Sequence, residues 1–415
     1  MKKFSKAEWG WIFYDWAQGG FSIVIVTAIL PIFFKSVAHT AGVSNANATA
    51  YWSYANSFST LLISLAAPLL GAIADYRPNK KRLFSVFSLV GMIFTLAMVF
   101  VPTNQWFLLL ALYTLGAVGY AGANIFYDGF LVDVTESDRM DRVSTFGFGI
   151  GYIGMVIPFI IVMILQLTGG FGMLDTLGIV HVGFILTAVW WLVFSLPFYR
   201  NVHQVHALPP VAHPVAESWR RVKKTIGTIW EHKPIMWFLI AYFFYIDGVD
   251  TIFKMATSFG VDLGLSTTQL MLVLLMVQLV AVPFTLGYSW LAKKIGAKRS
   301  ILVAVVVYIV IALYGVTLHS VTGFFILGFL VGTSQGGIQA LSRSYFARLV
   351  PPENANEYFG FYNIFGRFSA IFGPLLFGVV TQMFGNSQLG IASLAILFII
   401  GGGILLKAPT AVAAH

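Results

Sequence analysis

Long apolar stretches alternate with short polar connections along almost the whole chain of 415 residues. Twelve of these stretches reach about 20 residues, enough to cross a hydrocarbon core of about 30 Å as a helix. The predicted helices span 9–35, 50–75, 83–101, 105–133, 143–167, 177–199, 234–261, 267–292, 299–318, 321–349, 358–384 and 388–407. The pattern therefore predicts an all-α membrane protein with twelve transmembrane helices.

A single long polar segment, proline-rich at its start and basic afterwards, separates the sixth helix from the seventh. We therefore predict an N-terminal six-helix bundle over 1–200, a linker over 201–233 and a C-terminal six-helix bundle over 234–415. Within the linker, 218–230 has two interpretations. It is either an amphipathic helix on an anionic membrane surface or a solvated segment.

The composition supports the membrane assignment. Hydrophobic residues make up 58% of the chain, charged residues 10%, and the mean hydropathy is +0.83, which excludes a soluble domain. Cysteine is absent, which excludes disulfides, thiol catalysis and cysteine-ligated metals. The N-terminus lacks a cleavage site of the signal-peptide type, so the first helix is expected to remain in the mature protein.

Basic residues concentrate in alternate connections: the N-terminus, the loops after even-numbered helices, the linker and the C-terminus. The positive-inside rule places these segments, and so both termini, in the cytoplasm of a multi-pass cell-membrane protein. The net charge of +9 reflects this asymmetry, so we expect a lipid bilayer and no nucleic acid as partner. We also expect a monomer.

Two stretches that open the two halves of the chain resemble each other. One contains Tyr14-Asp15-Trp16 and the other Tyr245-Ile246-Asp247, so each places an aspartate inside a membrane helix. The segments 126–158 and 341–374 also match in length to within one residue and end in Gly-rich, Pro-containing helices. Six plus six helices in parallel repeats resemble the architecture of major facilitator transporters.

The loop between the second and third helices resembles a signature of that superfamily. Gly71 is followed four residues later by Asp75 and then by basic residues. Glycine permits close helix approach, and the carboxylate can accept hydrogen bonds at a helix N-terminus or pair with arginine. The basic members of this signature loop are Arg77, Lys80, Lys81 and Arg82. The second half keeps Gly287 but has Leu291 at the aspartate position, so the first copy is expected to be the functional one.

Several stretches resemble a narrower branch of the superfamily, the family of the fungal vacuolar amino-acid effluxer related to autophagy. They are 14–17, 54–57, 71–75, 247–249 and 335–344. The resemblance covers essentially the whole chain, and the compact loops are similar to those of bacterial members. It implies efflux of amino acids, particularly apolar and aromatic ones.

Polar side chains at helical spacing predict a substrate cavity, because membrane helices turn such stripes toward protein or water. The candidate substrate- and proton-binding residues are Tyr14, Asp15, Gln18, Tyr54, Asn124, Asp247, Asp250, Lys254, Gln335 and Gln339. Two of them have structural alternatives. Asp250 and Lys254 could neutralise each other at i, i+4, and Asp15, counted as six residues inside its helix, could lie at the headgroup boundary.

For a zwitterionic substrate, we expect Asp247 or Asp250 near the ammonium group. Lys254 or Gln18 would lie near the carboxylate. The aromatic residues expected to face the substrate side chain are Tyr14, Tyr54 and Tyr245. Tyr120 and Tyr127 are more simply explained by packing.

Four carboxylates in membrane helices indicate a proton gradient as the energy source, because burial can bring such groups into the titrating range. They are Asp15, Asp128, Asp247 and Asp250. Asp247 lies about 20 Å into its helix and is the first choice for the titrating group.

Asp128 on the fourth helix is predicted to form a cytoplasmic gate with an arginine of the other bundle. Arg343 and Arg367, on the tenth and eleventh helices, lie at similar depth by helix counting. Removing one partner of a partly buried pair leaves the other uncompensated, so this gate would affect the closed state strongly. The alternative is that each arginine binds within its own bundle, to backbone carbonyls or Glu357.

The sequence thus predicts a secondary transporter that moves a small solute, an amino acid by resemblance, through alternating access. Neither a GxxxxGK[ST] loop nor an HExxH motif is present, so we expect no enzyme activity, no ATP-driven step, and no metal or other cofactor. Export of drugs or sugars is the main alternative, and a non-transporting sensor with the same fold is another.

Overall fold

The computed structural model describes residues 3–43, 45–228, 231–262 and 265–409. In these ranges, twelve helices are long and apolar enough to cross a membrane, and we number them α1 to α12. Their bounds are Lys6–Thr40, Asn45–Ala74, Asn79–Phe100, Trp106–Gly129, Met140–Leu167, Thr176–Asn201, Lys233–Asp262, Thr267–Ile295, Ala297–Thr317, Val321–Leu349, Ala355–Ser369 continued by Phe372–Phe384, and Ser387–Lys407. Each predicted segment corresponds to one of them, so the predicted all-α fold with twelve membrane helices is confirmed.

The first helix begins earlier than its apolar pattern indicates, because a capping box fixes its start. Ser5 Oγ accepts a hydrogen bond from the Glu8 backbone at 3.1 Å, and the Glu8 carboxylate accepts one from the Ser5 backbone at 2.6 Å. Asp15 is therefore the tenth residue of α1, about 14 Å from its start. Asp15 is 7% exposed and so lies inside the protein, and its depth in the membrane stays a prediction.

The middle of α1 is wound as a π-helix over Phe21–Ile29. Leu30 N–H donates to the carbonyl of Ile25, five residues earlier. Pro31 follows and has no N–H to donate. The wider π-helical turns therefore lie next to a position where the regular α-helical hydrogen bonding is interrupted.

Helices α1 to α6 pack together, as do α7 to α12, and the two bundles meet along α2 with α11 and along α5 with α8 and α10. Where α2 crosses α11, the backbones approach closely. A Cβ atom on Gly71 would overlap the backbone of Asn356, and one on Gly360 would lie 2.6 Å from the carbonyl oxygen of Ala67. Glycine is therefore required at this crossing.

Both described chain ends and the linker lie on one side of the molecule, which we call the linker side. Arg139 donates to the carbonyl of Lys3 at 3.2 Å, Val205 donates to Asp133 at 2.9 Å, and Lys298 donates to the carbonyl of Ala408 at 2.6 Å. The two bundles are in contact at this side.

The linker packs on the bundle ends. Leu208 exchanges backbone hydrogen bonds with the loop after α2, donating to Asp75 at 2.9 Å and accepting from Arg77 at 3.2 Å. A helix over Pro214–Thr228, the linker helix, then packs on α2 with Ser218 buried. This helix begins four residues before the predicted one, whose last two positions, 229 and 230, lie outside the described residues, and its contact with a membrane surface stays a prediction.

Candidate functional site

A cavity of about 420 Å³ lies between the two bundles. Its walls come from the first, fourth and fifth helix of each bundle, which are α1, α4, α5, α7, α10 and α11. The predicted residues that line it are Asp15, Gln18, Asn124, Asp128, Asp250, Gln339, Arg343 and Arg367. The other lining residues are Tyr120, Tyr127, Phe148, Tyr242, Ile246, Tyr362, Asn363 and Gly366.

A second cavity of about 220 Å³ adjoins the first and shares Asp15, Gln18 and Gln339 with it. Gln335, another predicted residue, lines this second cavity. The two cavities together are large enough for a small solute, since ligand sites commonly enclose 300–1,000 Å³.

Arg343 lies at the linker-side end of the larger cavity and is held by the opposite bundle. Its Nη groups donate to Asp15 and Asp128, each at 3.3 Å, and its Nε donates to Ser144 Oγ at 3.0 Å. The guanidinium also lies 4.5 Å from the ring centroid of Trp11. One cation of α10 thus connects α1, α4 and α5.

The predicted contact between Asp128 and Arg343 is therefore present, and the alternative that Arg343 stays within its own bundle is wrong. Its role as a gate stays a prediction. A polar chain extends from this ion pair into the cavity. Asn124 donates to Gln18 at 3.2 Å, and Gln18 donates to Asp15 at 3.3 Å.

Asp250 and Arg367 carry opposite charges at the wall of the same cavity. The ion pairs found among the described residues include neither of them. The Nε of Arg367 is buried and has no hydrogen-bond partner within the described part of the chain. Glu357, the partner suggested for Arg367, instead binds Arg221 at 2.5 Å. Such buried donors usually have a partner, so the cavity offers one anionic and one cationic group to a ligand.

The structure corrects the placement of Asp247 and Lys254, which lie outside both cavities. Asp247 is fully buried, accepts a hydrogen bond from Thr251 at 3.3 Å, and packs beside Gly373, just after the interruption of α11. Lys254 is exposed. Spacing placed Asp247, Asp250 and Lys254 on one stripe, but the rotation of α7 about its axis turns only Asp250 into the cavity.

The three tyrosines predicted to face the substrate also lie outside the cavities. Tyr54 is 67% exposed on α2. Tyr14 is fully buried within the N-terminal bundle, 4.8 Å from the ring centroid of Phe84. The hydroxyl of Tyr245 lies 2.7 Å from Ser342 Oγ within the C-terminal bundle. The aromatic wall of the cavity comes from other residues, which are Tyr120, Phe148, Tyr242 and Tyr362.

Asp75 of the signature loop joins the two bundles at the linker-side ends of α2 and α11. Its carboxylate accepts hydrogen bonds from the backbone N–H of Asn356 at 3.0 Å and of Glu357 at 3.3 Å, in the first turn of α11. It also accepts one from Arg221 of the linker helix at 3.1 Å. Burial raises the pKa of Asp75 to about 6, against the opposing influence of Lys80, Asn356 and Arg221. Both partners expected for this carboxylate, a helix N-terminus and an arginine, are therefore present at once.

The basic residues of the signature loop have different surroundings. Lys80 is fully buried and pairs with Asp133 at 2.6 Å, whereas Arg82 is exposed. Burial by itself would raise the pKa of Asp133, but Lys80 and hydrogen bonds from His206 outweigh it and lower that pKa. The remaining members donate to backbone carbonyls: Arg77 to Val205 at 3.1 Å and Lys81 to Tyr199 at 2.8 Å.

Sequence reasoning missed a third contact between the bundles and the role of Arg221. Asp141 at the start of α5 pairs with Arg348 of α10 at 2.8 Å and accepts a hydrogen bond from Ser344. Arg348 stands at a helix end, where a basic residue is also explained by membrane topology. The opposite signs of Asp141 and Arg348, on helices expected to face each other, were the available signal.

Comparisons with known proteins show the family and the fold of this chain. Residues 5–134 and 132–411 match the family described as "Vacuole effluxer Atg22 like". A Bacillus subtilis (strain 168) protein, "Uncharacterized MFS-type transporter YxiO", is 46% identical over 99% of this chain and 96% of its own length. Autophagy-related protein 22-1 of Aspergillus fumigatus is 26% identical over 62% of this chain and 46% of its own length. The chain thus aligns with about half of that fungal relative.

Solved structures similar to this chain are transporters of the major facilitator type. The proton:xylose symporter XylE superposes with a TM-score of 0.70 at 11% identity, over 97% of this chain and 94% of XylE. FucP in the outward conformation superposes with a TM-score of 0.70 at 12% identity, over 98% and 99% of the two chains. At this identity the likeness concerns the fold alone, and it confirms the predicted major facilitator fold.

Proposed function

The chain belongs to the Atg22-like vacuole effluxer family and has the fold of a secondary transporter, and on that basis we propose that it transports amino acids by alternating access. We propose export, with the linker side in the cytoplasm. The observation that carries the amino-acid assignment is the presence of Asp250 and Arg367, two opposite charges without a mutual ion pair, at one cavity.

A zwitterion complements these two groups. Its ammonium would bind Asp250 on α7, and its carboxylate would bind Arg367 on α11, whose buried Nε has no partner within the described residues. Arginine suits this role because its planar guanidinium can bind a carboxylate through two parallel hydrogen bonds. A sugar would leave both charges uncompensated in a site of low dielectric, which is costly.

The aromatic wall favours apolar and aromatic amino acids. Tyr242 and Tyr362 stack on each other with ring centroids 4.3 Å apart, and both line the cavity together with Tyr120 and Phe148. Aromatic rings supply large apolar contact surfaces for a substrate side chain.

Uptake and exchange of a panel of labelled amino acids in proteoliposomes test this assignment. Arg367→Gln and Asp250→Asn should each weaken binding by about 30-fold or more, because truncating one partner of a buried charge pair is expensive. Lys293→Gln is the control, since Lys293 is an exposed cation of α8 that lines neither cavity. Absence of flux and of thermal stabilisation across the panel would refute the amino-acid assignment.

We further propose a proton as the coupling ion. Arg343 supplies one positive charge to two carboxylates, Asp15 and Asp128, so one negative charge remains uncompensated inside the membrane. Like charges that share a site favour protonation of one carboxylate. Asp15→Asn should abolish accumulation driven by a pH gradient while preserving exchange of labelled amino acid.

Asp247→Asn provides the comparison for the proton assignment. Asp247 is buried, and its Oδ2 has no hydrogen-bond partner within the described residues. If Asp247→Asn loses gradient-driven accumulation and Asp15→Asn keeps it, the proton site lies in the C-terminal bundle instead. Gradient-driven accumulation that persists in both variants would exclude both residues.

A further inference from the structure

One side chain of the linker helix connects both bundles. Arg221 donates to Asp75 at 3.1 Å and to the carbonyl of Ala72 at 3.3 Å, both in the N-terminal half. It also donates to Glu357 at 2.5 Å and to Asn354 at 2.9 Å, both in the C-terminal half. The docked linker helix therefore stabilises the state in which the linker side is closed.

The rest of the surface of the linker helix is exposed and amphipathic. At 100° per residue, Val215, Trp219 and Ile226 lie within about 40° of one another. Their exposed fractions are 58%, 52% and 53%, and we call them the apolar stripe. Of the exposed basic residues, Lys223 lies about 60° from the middle of this stripe, Arg220 about 120° and Lys224 about 160°. Tryptophan and aliphatic residues next to lysine and arginine are typical of helices at a membrane interface.

The linker helix lies at the level where the membrane helices end. Asp75, which binds Arg221, directly follows the last residue of α2. Asn354, another partner of Arg221, directly precedes the first residue of α11. The apolar stripe and the basic residues are therefore presented close to the ends of α2 and α11.

We propose that the linker helix binds the anionic headgroups of the linker-side leaflet, and that this binding stabilises the closed linker side. The positive charge of Arg220, Lys223 and Lys224, partly offset by Glu217, which pairs with Arg220 at 3.0 Å, complements an anionic surface. The proposed lipid contacts use the exposed side of the linker helix, whereas the contacts with both bundles use Arg221. The two sets of contacts can therefore exist together. Because a ligand shifts a population toward the state that it binds better, anionic lipid favours the docked, closed state. The inference holds for any transported solute.

Site-specific labels can test the membrane contact directly, because the chain has no cysteine. Ile226→Cys carries an environment-sensitive fluorophore in nanodiscs whose phosphatidylcholine has brominated acyl chains, with or without phosphatidylglycerol. Gly227→Cys is the matched control, because its position is open and lies 100° away around the helix. We expect stronger quenching at position 226 than at 227, and a further increase with phosphatidylglycerol.

A double variant, Lys223→Gln with Lys224→Gln, tests the charge contribution. The phosphatidylglycerol effect should fall by about an order of magnitude or more, because each basic residue near an anionic surface contributes about fivefold. Equal quenching at positions 226 and 227 in every bilayer would overturn the proposal. So would a phosphatidylglycerol effect that the double variant leaves unchanged.

The consequence for closure is measured with spin labels on Arg82→Cys and Glu353→Cys, two exposed positions on opposite bundles. Phosphatidylglycerol should increase the short-distance population in the parent protein and leave it unchanged in the double lysine variant. Arg221→Gln should decrease that population in both bilayers. Distance distributions that do not change when phosphatidylglycerol is added would refute the coupling between lipid binding and closure.

Discussion

At the scale of single residues, Gly71 shows most directly how the closed state depends on atomic fit. A Cβ atom there would overlap the Asn356 backbone, which cannot rotate away as a flexible side chain can. Gly287 is the corresponding glycine of the second half, and a Cβ atom there would have nothing within 4 Å. Gly287 is therefore a control for Gly71 within the same protein.

Gly71→Ala is expected to destabilise the closed linker side by about 1–3 kcal/mol, the usual cost of overpacking. Gly287→Ala should leave it unchanged. The spin-label distance between positions 82 and 353 reports both effects. Identical distance distributions in the two variants would show that the backbones at α2 and α11 do not have to approach for closure.

Asp128 is a second single residue that affects closure of the linker side, and removing its charge should weaken the closed state only in part. In Asp128→Asn, Arg343 keeps Asp15 and Ser144, so we expect a partial shift toward the open linker side and slower transport. Arg343→Gln leaves two carboxylates without their cation and should destabilise the closed state by about 3–5 kcal/mol.

Disulfide crosslinking between cysteines at the linker-side ends of α4 and α10 measures this shift. A charge swap of Asp128 with Arg343 should restore part of the crosslinking lost in Asp128→Asn. Equal crosslinking in the parent protein and in Asp128→Asn would contradict the gate role.

At the scale of elements, the linker segment 202–208 is fastened by a pair of titratable groups. His206 lies 3.4 Å from Asp133, and the backbone N–H groups of Val205 and His206 donate to the same carboxylate. The interaction with Asp133 raises the pKa of His206 above 6.5, with a smaller contribution from Glu353 and against burial and Lys80.

The sign of the pH dependence follows from these two shifts. A raised His206 pKa means that its contribution to docking is complete below about pH 6.5 and is lost as the pH rises through the higher docked value. The lowered Asp133 pKa means that its contribution is present above its ordinary pKa of 3.8 and is lost only as the pH falls through the lower docked value. Docking of the segment should therefore be strongest between these two limits.

Amide hydrogen exchange of residues 205–208, corrected for its intrinsic pH dependence, measures this docking. We expect protection to decrease as the pH is raised from about 6 to about 8.5. His206→Gln should remove the dependence in this range. Protection that is constant with pH in the parent protein would exclude His206 as a determinant of docking.

At the scale of the whole molecule, the sequence predicts the number and order of helices well, because an apolar run of membrane length has few other structures available. It also predicts that Asp128 pairs with Arg343 or Arg367, since the major facilitator arrangement places the fourth helix opposite the tenth and eleventh, and the structure has the contact with Arg343. It predicts poorly which way each helix is rotated, and so it places Asp247 and Lys254 with Asp250. Packing of α7 against α11 and α12 decides that rotation, and these contacts are not encoded in local spacing.

The partners of Asp75 show a second kind of limit. The motif indicates a carboxylate that binds a helix N-terminus or an arginine. However, neither the first turn of α11 nor Arg221 can be identified from the motif. The charges of the linker are explained equally well by membrane topology, so Arg221 does not stand out from its neighbours. The contacts of Arg221 with both bundles become apparent only when the signature loop, the linker helix and α11 are considered together.

The N–H groups that bind Asp75 at Asn356 and Glu357 belong to the main chain, which every genetic variant retains whatever side chain it encodes there. Only proline at position 356 or 357 would delete one of these N–H groups, and the first turn of a helix can accommodate proline. One half of the contact is thus specified by a single codon, while the other half is almost immune to missense change. Mutational drift at positions 356 and 357 therefore leaves both main-chain donors to Asp75 in place.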